Sequence, residues 1–75
     1  MTVMLGDYVY VMEIKRDTSE QYDSSQPNPA LAQIIERNYA QKYMHLQTEG
    51  KTVIQLGLVF NTTERNLVAL DALEV

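Results

Sequence analysis

The chain contains no cysteine, no tryptophan, one phenylalanine and one histidine in 75 residues. Without cysteine, disulfides cannot staple the fold, and thiolate metal sites and thiol nucleophiles are excluded. A lone histidine, His45, has no His or Cys companion and reads as a solvated side chain rather than a zinc ligand. No apolar run approaches the roughly 20 residues needed to cross a bilayer, and no signal-peptide pattern opens the chain. No membrane role is expected, and a soluble cytoplasmic protein is the default. Basic residues are scarce: six Lys plus Arg stand against ten Asp plus Glu, a formal net charge of -4. Bulk electrostatics therefore do not support a nucleic-acid partner; any such chemistry must come from a local site. Glycine-rich phosphate loops and serine-histidine triads are missing too.

What remains is small but globular. Hydrophobic residues make up 45% of the chain, enough for a core rather than disorder. Chains this short bury only roughly 60% of their unfolded surface, so the core is marginal and a partner subunit is a natural supplement. One domain, residues 1–75, is the expectation.

TVML (2–5) and YVYVMEIK (8–15) read as strands joined by Gly6-Asp7, since glycine at the first turn position accepts positive φ. With those two residues as the turn, Leu5 faces Tyr8, Thr2 faces Val11 and Met1 faces Met12. The second strand is apolar on both sides, Tyr8, Tyr10, Met12 and Ile14 on one and Val9 and Val11 on the other, which predicts cover on both faces. Residues 16–28 are polar and form a long loop, suggestive of mobility or function. Asn28-Pro29 supplies an N-cap and a first-turn proline. Leu31, Ile34, Ile35, Asn38, Tyr39 and Lys42 then share a helical stripe, with a bend near Asn38 and a stop at Gly50. KTVIQLGLVF (51–60) is a third strand, and 67–74 is read as an antiparallel return after a polar turn. The expected fold is α+β, a mixed β-sheet in the order β-β-α-β-β, with a right-handed helix crossover on one face making strands two and three parallel. Met1, Met4, Met12 and Met44 are expected as core filler, and Tyr39 and Tyr43 as core aromatics.

Glu13 and Lys15 carry the chemistry. Two apart on a strand, they point the same way, roughly 6.6 Å from each other. A carboxylate can hold a divalent cation, and a neighbouring ammonium can assist a water or stabilise developing charge on phosphorus. The triplet alone is unspecific: an acid-x-Lys arises by chance in roughly two of five chains this long. On composition alone, a strand end emerging into solvent, its charges protecting an edge, is the better explanation of the pair.

The ordered set is more specific. Glu13 and Lys15 end a hydrophobic strand; Ala30, Leu31, Gln33 and Ile34 open a helix; Tyr39, Ala40, Lys42 and Tyr43 follow; Gly50, Lys51, Gly57, Phe60, Arg65 and Asn66 complete the series. This series, over residues 1 to about 70, resembles the PD-(D/E)XK nuclease-like domain. More narrowly, it looks like the version at the C-terminus of bacterial AAA-ATPase-like proteins. The resemblance implies a restriction-endonuclease-like core and metal-dependent phosphodiester hydrolysis, with Glu13 a Mg2+ ligand, Lys15 the catalytic lysine and Gln33 the helix glutamine of the site. Helical geometry speaks against Gln33, which lies about 200° from Leu31 and away from the apolar stripe.

Two departures matter. The loop after Lys15 is longer than in the resembled family. That family also places an Asp on the strand before Glu-x-Lys, and the residue facing Glu13 falls just before Met1. Asp7 lies about 20 Å away along the strand, and Asp17 could approach only by loop movement. The expectation is thus a partial, N-terminally truncated core, inactive or incomplete as it stands, holding Mg2+ weakly. The alternative is a non-catalytic binding or oligomerisation module of nuclease-derived fold. The family's first helix is missing as well, which predicts a poorly covered sheet face including Val9 and Val11, and a homo-oligomer burying it.

Overall fold

A computed structural model describes residues 1–75. Gly6 alone of the turn pair takes positive φ, 57°, and the hairpin joins β1 (Thr2–Leu5) to β2 (Tyr8–Asp17). Their register pairs Leu5 with Tyr8 and Thr2 with Val11, and the Met1 and Met12 backbones exchange hydrogen bonds of 2.7 and 3.0 Å.

The helix α1 (Pro29–Glu36) begins where its capping residues dictate. Asn28 Oδ1 accepts from the Ala30 and Leu31 amides at 2.9 and 3.1 Å, satisfying donors that an uncapped first turn leaves orphaned. It ends as cleanly. Asn38 adopts φ 56°, the Asn38 amide donates to Ile35 O and the Tyr39 amide to Ile34 O, a Schellman closure with asparagine in the place glycine usually holds. A 3-10 helix, Gln41–Glu49, follows and closes in the same way at Gly50, φ 83°.

The strands β3 (Thr52–Asn61) and β4 (Asn66–Glu74) complete a sheet in the order β1-β2-β3-β4. β2 and β3 run parallel, and both outer pairs are antiparallel. The protein is α+β with a mixed four-stranded sheet.

Both helices lie on one side of this sheet. Val9, Val11, Ala30, Ile34, Val53 and Val59 form the buried core there, Val9, Ala30, Ile34, Val53 and Val59 with no exposure at all. Fully burying each aliphatic stabilises by about 1.5–3 kcal/mol before chain entropy is counted. Gly57 in β3 makes the close approach possible: a Cβ there would sit 2.4 Å from the Leu31 backbone nitrogen. The fully buried polar side chain on this side is paired. Asn61, fully buried, donates to Asp17 Oδ2 at 2.8 Å and Ser19 O at 3.0 Å, and accepts from the Glu64 amide at 2.7 Å.

The expectations about cover require correction. Only one face is covered, and it is the Val9 and Val11 face, the face expected to be bare. The opposite face, from Leu5 and Tyr8 to Ile14, Phe60, Leu67 and Leu70, is exposed. The chain offers helices only between β2 and β3, and its hairpins carry nothing across to the other side. Met1 and Met4 are also exposed, 70% and 57%, rather than core filler: Met1 sits level with Met12 on the open face, and Met4 lies in the edge strand β1. β2 extends beyond Lys15 to Asp17, which the Ser19 and Asn61 hydrogen bonds hold at the strand end.

Candidate functional site

Alternation along β2 puts Glu13, Lys15 and Asp17 on the helix-covered side, continuing the row of Val9 and Val11. All three are half-buried. Glu13 pairs in register with Gly57, the residue over which α1 sits closest, so its carboxylate emerges beside the helix rather than into open solvent.

The helix glutamine reaches it. Gln33 Nε2 donates to Glu13 Oε1 at 3.3 Å and lies 3.4 Å from the Tyr39 hydroxyl, which also accepts from Arg37 Nη1 at 3.1 Å. The helical-wheel objection to Gln33 fails because Leu31 was the wrong reference. The buried line of α1 runs through Ala30 and Ile34, with Leu31 only half-buried. Gln33 lies about 60° from Ala30 and 100° from Ile34, on the flank of the packed face.

A concavity of about 290 Å³ opens beside Glu13, with Thr2, Tyr39, Lys42 and Tyr43 in its walls. Thr2 Oγ1 donates to the Tyr43 hydroxyl at 2.9 Å, and Lys42 Nζ stands 5.2 Å from the Tyr43 ring centroid, a cation–π contact. Arg37 first, and Gln33 second, hold the Tyr39 phenol below its usual range. The Thr2 hydrogen bond and Lys42 do the same for Tyr43. Tyr39 and Tyr43 thus pack against the core through their rings and give their hydroxyls to the site.

Sequence reasoning missed this ring of residues. Thr2 faces Val11 in the hairpin register, one step along the covered row from Glu13, and that register was readable. Arg37 and Lys42 were dispersed in sequence, and only the turn at Asn38 folds them back to the same end of the sheet. His45 is exposed and takes no part.

The residues present do not by themselves make a divalent-cation site. No group of three or more His, Cys, Asp or Glu side chains is positioned to hold a metal. Glu13 is the sole carboxylate lining the concavity. Asp17 is occupied by Ser19 and Asn61, which hold its carboxyl below the usual carboxylate range. Asp71 lies across Gly57 on the far side and accepts from Asn28 Nδ2 at 3.0 Å. The position facing Glu13 on the β1 side precedes Met1 in the register.

A sequence model of the PD-(D/E)XK nuclease superfamily matches residues 1–70. The chain belongs to the PD-(D/E)XK nuclease superfamily. Glu13 and Lys15 lie in the second half of β2, one of the two central strands of the sheet. No curated protein and no solved structure matches the chain at a significant level. No helix is long and apolar enough to cross a membrane. Superfamily nucleases are generally divalent-metal dependent.

Proposed function

We propose that the covered end of the sheet is a phosphodiester-hydrolysing half-site of a metal-dependent nuclease, and that these 75 residues alone do not complete it. The observation that carries this reading is the Glu13 carboxylate, held by Gln33 and lining the concavity between the β1–β2 hairpin and Tyr39, Lys42 and Tyr43. Its roles follow from chemistry. Glu13 supplies one anionic ligand; Gln33 fixes the orientation of that carboxylate by donating to one oxygen. Lys15, two residues along the same side of β2, offers an ammonium to a phosphate oxygen or to the attacking water. Arg37 and Lys42 add positive charge near the same end, which offsets the net charge of -4 where a phosphate would approach.

One carboxylate holds Mg2+ poorly, since such sites combine one or two carboxylates with substrate oxygens. The second acid belongs opposite Glu13, across the β1–β2 ladder. In this reading the four-stranded sheet is a restriction-endonuclease-like core that brings one carboxylate, Glu13, to the concavity. The motif order further supports kinship with the nuclease-like modules that end bacterial AAA-ATPase-like proteins.

The test is divalent-dependent cleavage of single- and double-stranded DNA and RNA. The chain as it stands is expected to be inactive. A version extended so that Asp faces Glu13 is expected to cleave, and to lose cleavage in Glu13→Gln and Lys15→Met variants. An extended protein that folds but cleaves nothing would overturn the hydrolase reading in favour of a binding module.

A further inference from the structure

Tyr39 is surrounded by hydrogen-bond donors. Its hydroxyl lies 3.4 Å from Gln33 Nε2 and accepts from Arg37 Nη1 at 3.1 Å. Two N–H groups engage both lone pairs of a phenol oxygen, so the phenol's own proton must go to a third atom. Neither neighbour can accept it, and the hydroxyl borders the concavity beside Glu13, so the free proton faces that space. Tyr43 repeats the pattern. Its hydroxyl accepts from Thr2 Oγ1 at 2.9 Å, and Lys42 Nζ stands 5.2 Å from its ring centroid. The Tyr39 and Tyr43 hydroxyls and the Lys42 ammonium thus border one space of about 290 Å³. Small-ligand sites start near that size, roughly 300 Å³. A phosphate with part of its sugar fits; a duplex does not.

We propose that Tyr39, Lys42 and Tyr43 form a cradle for the non-bridging oxygens of a phosphate group, distinct from the position served by Glu13 and Lys15. That the occupant is an oxyanion rests on the donors alone; that it is a phosphate rests on the nuclease reading of the site. A cation is a poor occupant of this wall, which presents hydrogens and one positive charge. The Gln33 amide, 3.3 Å from Glu13 Oε1 and 3.4 Å from the Tyr39 hydroxyl, bridges the two positions. A strand whose cleaved phosphate stands at Glu13 therefore lays its next phosphate, internal or terminal, on the tyrosines. Arg37 is a positioning residue that acts through Tyr39. With Gln33 it holds the phenol below its ordinary range, which makes the remaining proton a stronger donor. Glu13 is the opposing charge. As the one carboxylate bordering the same space, it repels the anion when no metal is bound.

Metal-free binding to the 75-residue chain tests the proposal, read by ring-carbon shifts of isotope-labelled tyrosine. Inorganic phosphate, a thymidine dinucleotide and the same dinucleotide with a terminal phosphate are titrated in turn at constant ionic strength. Shifts should move at Tyr39 and Tyr43 and stay still at Tyr8, Tyr10 and Tyr22. Tighter binding of the phosphorylated dinucleotide assigns the cradle to a strand end; equal binding assigns it to an internal phosphodiester. Tyr39→Phe keeps the ring against the core and should weaken binding about tenfold. Glu13→Gln should strengthen it about twofold, the opposite of its effect on cleavage. Should Tyr39→Phe fail to fold, Lys42→Met, at an exposed position, serves in its place. Absent shifts, shifts spread over all five tyrosines, or a Tyr39→Phe protein that binds like the parent would each overturn the cradle. None of these readouts uses cleavage. An extended protein that cleaves while the cradle binds nothing overturns this inference alone. Phosphate held here by a protein that never cleaves overturns the hydrolase reading and keeps the cradle.

Discussion

The two faces of the sheet are built from the same four strands and yet differ in kind. The side under α1 is lined by small and β-branched residues, Val9, Val11, Val53, Gly57 and Val59, which let a helix approach to backbone contact. It also carries polar groups, three of its carboxylates with a partner: Glu13 with Gln33, Asp17 with Asn61, Asp71 with Asn28. The other side carries larger aliphatic and aromatic residues, unpartnered within the chain. Bulk on one face and polarity on the other divide the labour. The covered face encodes fold and chemistry together; the open face has only apolar area to offer.

That contrast is sharpest in stability. Ile34→Ala, in the fully buried core, should cost about 4 kcal/mol in urea unfolding. Ile14→Ala on the open face should change stability by less than about 0.5 kcal/mol. Equal costs for the two would erase the distinction between the faces. Gly57→Ala comes next, at about 3 kcal/mol, because the new Cβ meets the Leu31 backbone and not a side chain that can swing aside. Asn28→Ala should cost about 1–2 kcal/mol in the same assay, losing the cap of α1 and the donors to Gly57 O and Asp71.

The smallest effect is spectroscopic. Tyr39 is depressed in the folded state by Arg37, so its phenol should ionise below the ordinary tyrosine range in an ultraviolet pH titration. A depressed folded pKa means that ionisation favours the folded state. The Tyr39 contribution to stability is therefore absent at neutral pH and grows as pH rises through the folded pKa. Arg37→Ala should return the Tyr39 titration upward; an unmoved titration would separate Arg37 from the Glu13–Gln33–Tyr39 network.

Much of this was legible before any coordinates. Gly6-Asp7 set the hairpin register, and with it the row shared by Thr2, Val11 and Glu13. Asn28-Pro29 set the helix start. Which face α1 would take was not legible, because β2 is apolar on both sides and hydrophobicity cannot distinguish them. Gln33 was misjudged for a related reason: its angle depends on which line of the helix packs, and Ala30, not Leu31, marks that line. The approach of Arg37 and Lys42 to Glu13 depends on the Asn38 reversal, a left-handed residue whose three-dimensional effect no periodicity encodes.

Paramagnetic Mn2+ offers the most direct test of where the chemistry lies. It would be titrated into isotope-labelled protein extended so that Asp stands opposite Glu13, and followed by amide line broadening. Broadening should begin at Glu13, Gly57 and Gln33 and disappear in Glu13→Gln. Broadening that begins at Asp17 to Asp23 and survives that substitution would contradict the assignment of the site to the covered face beside Glu13.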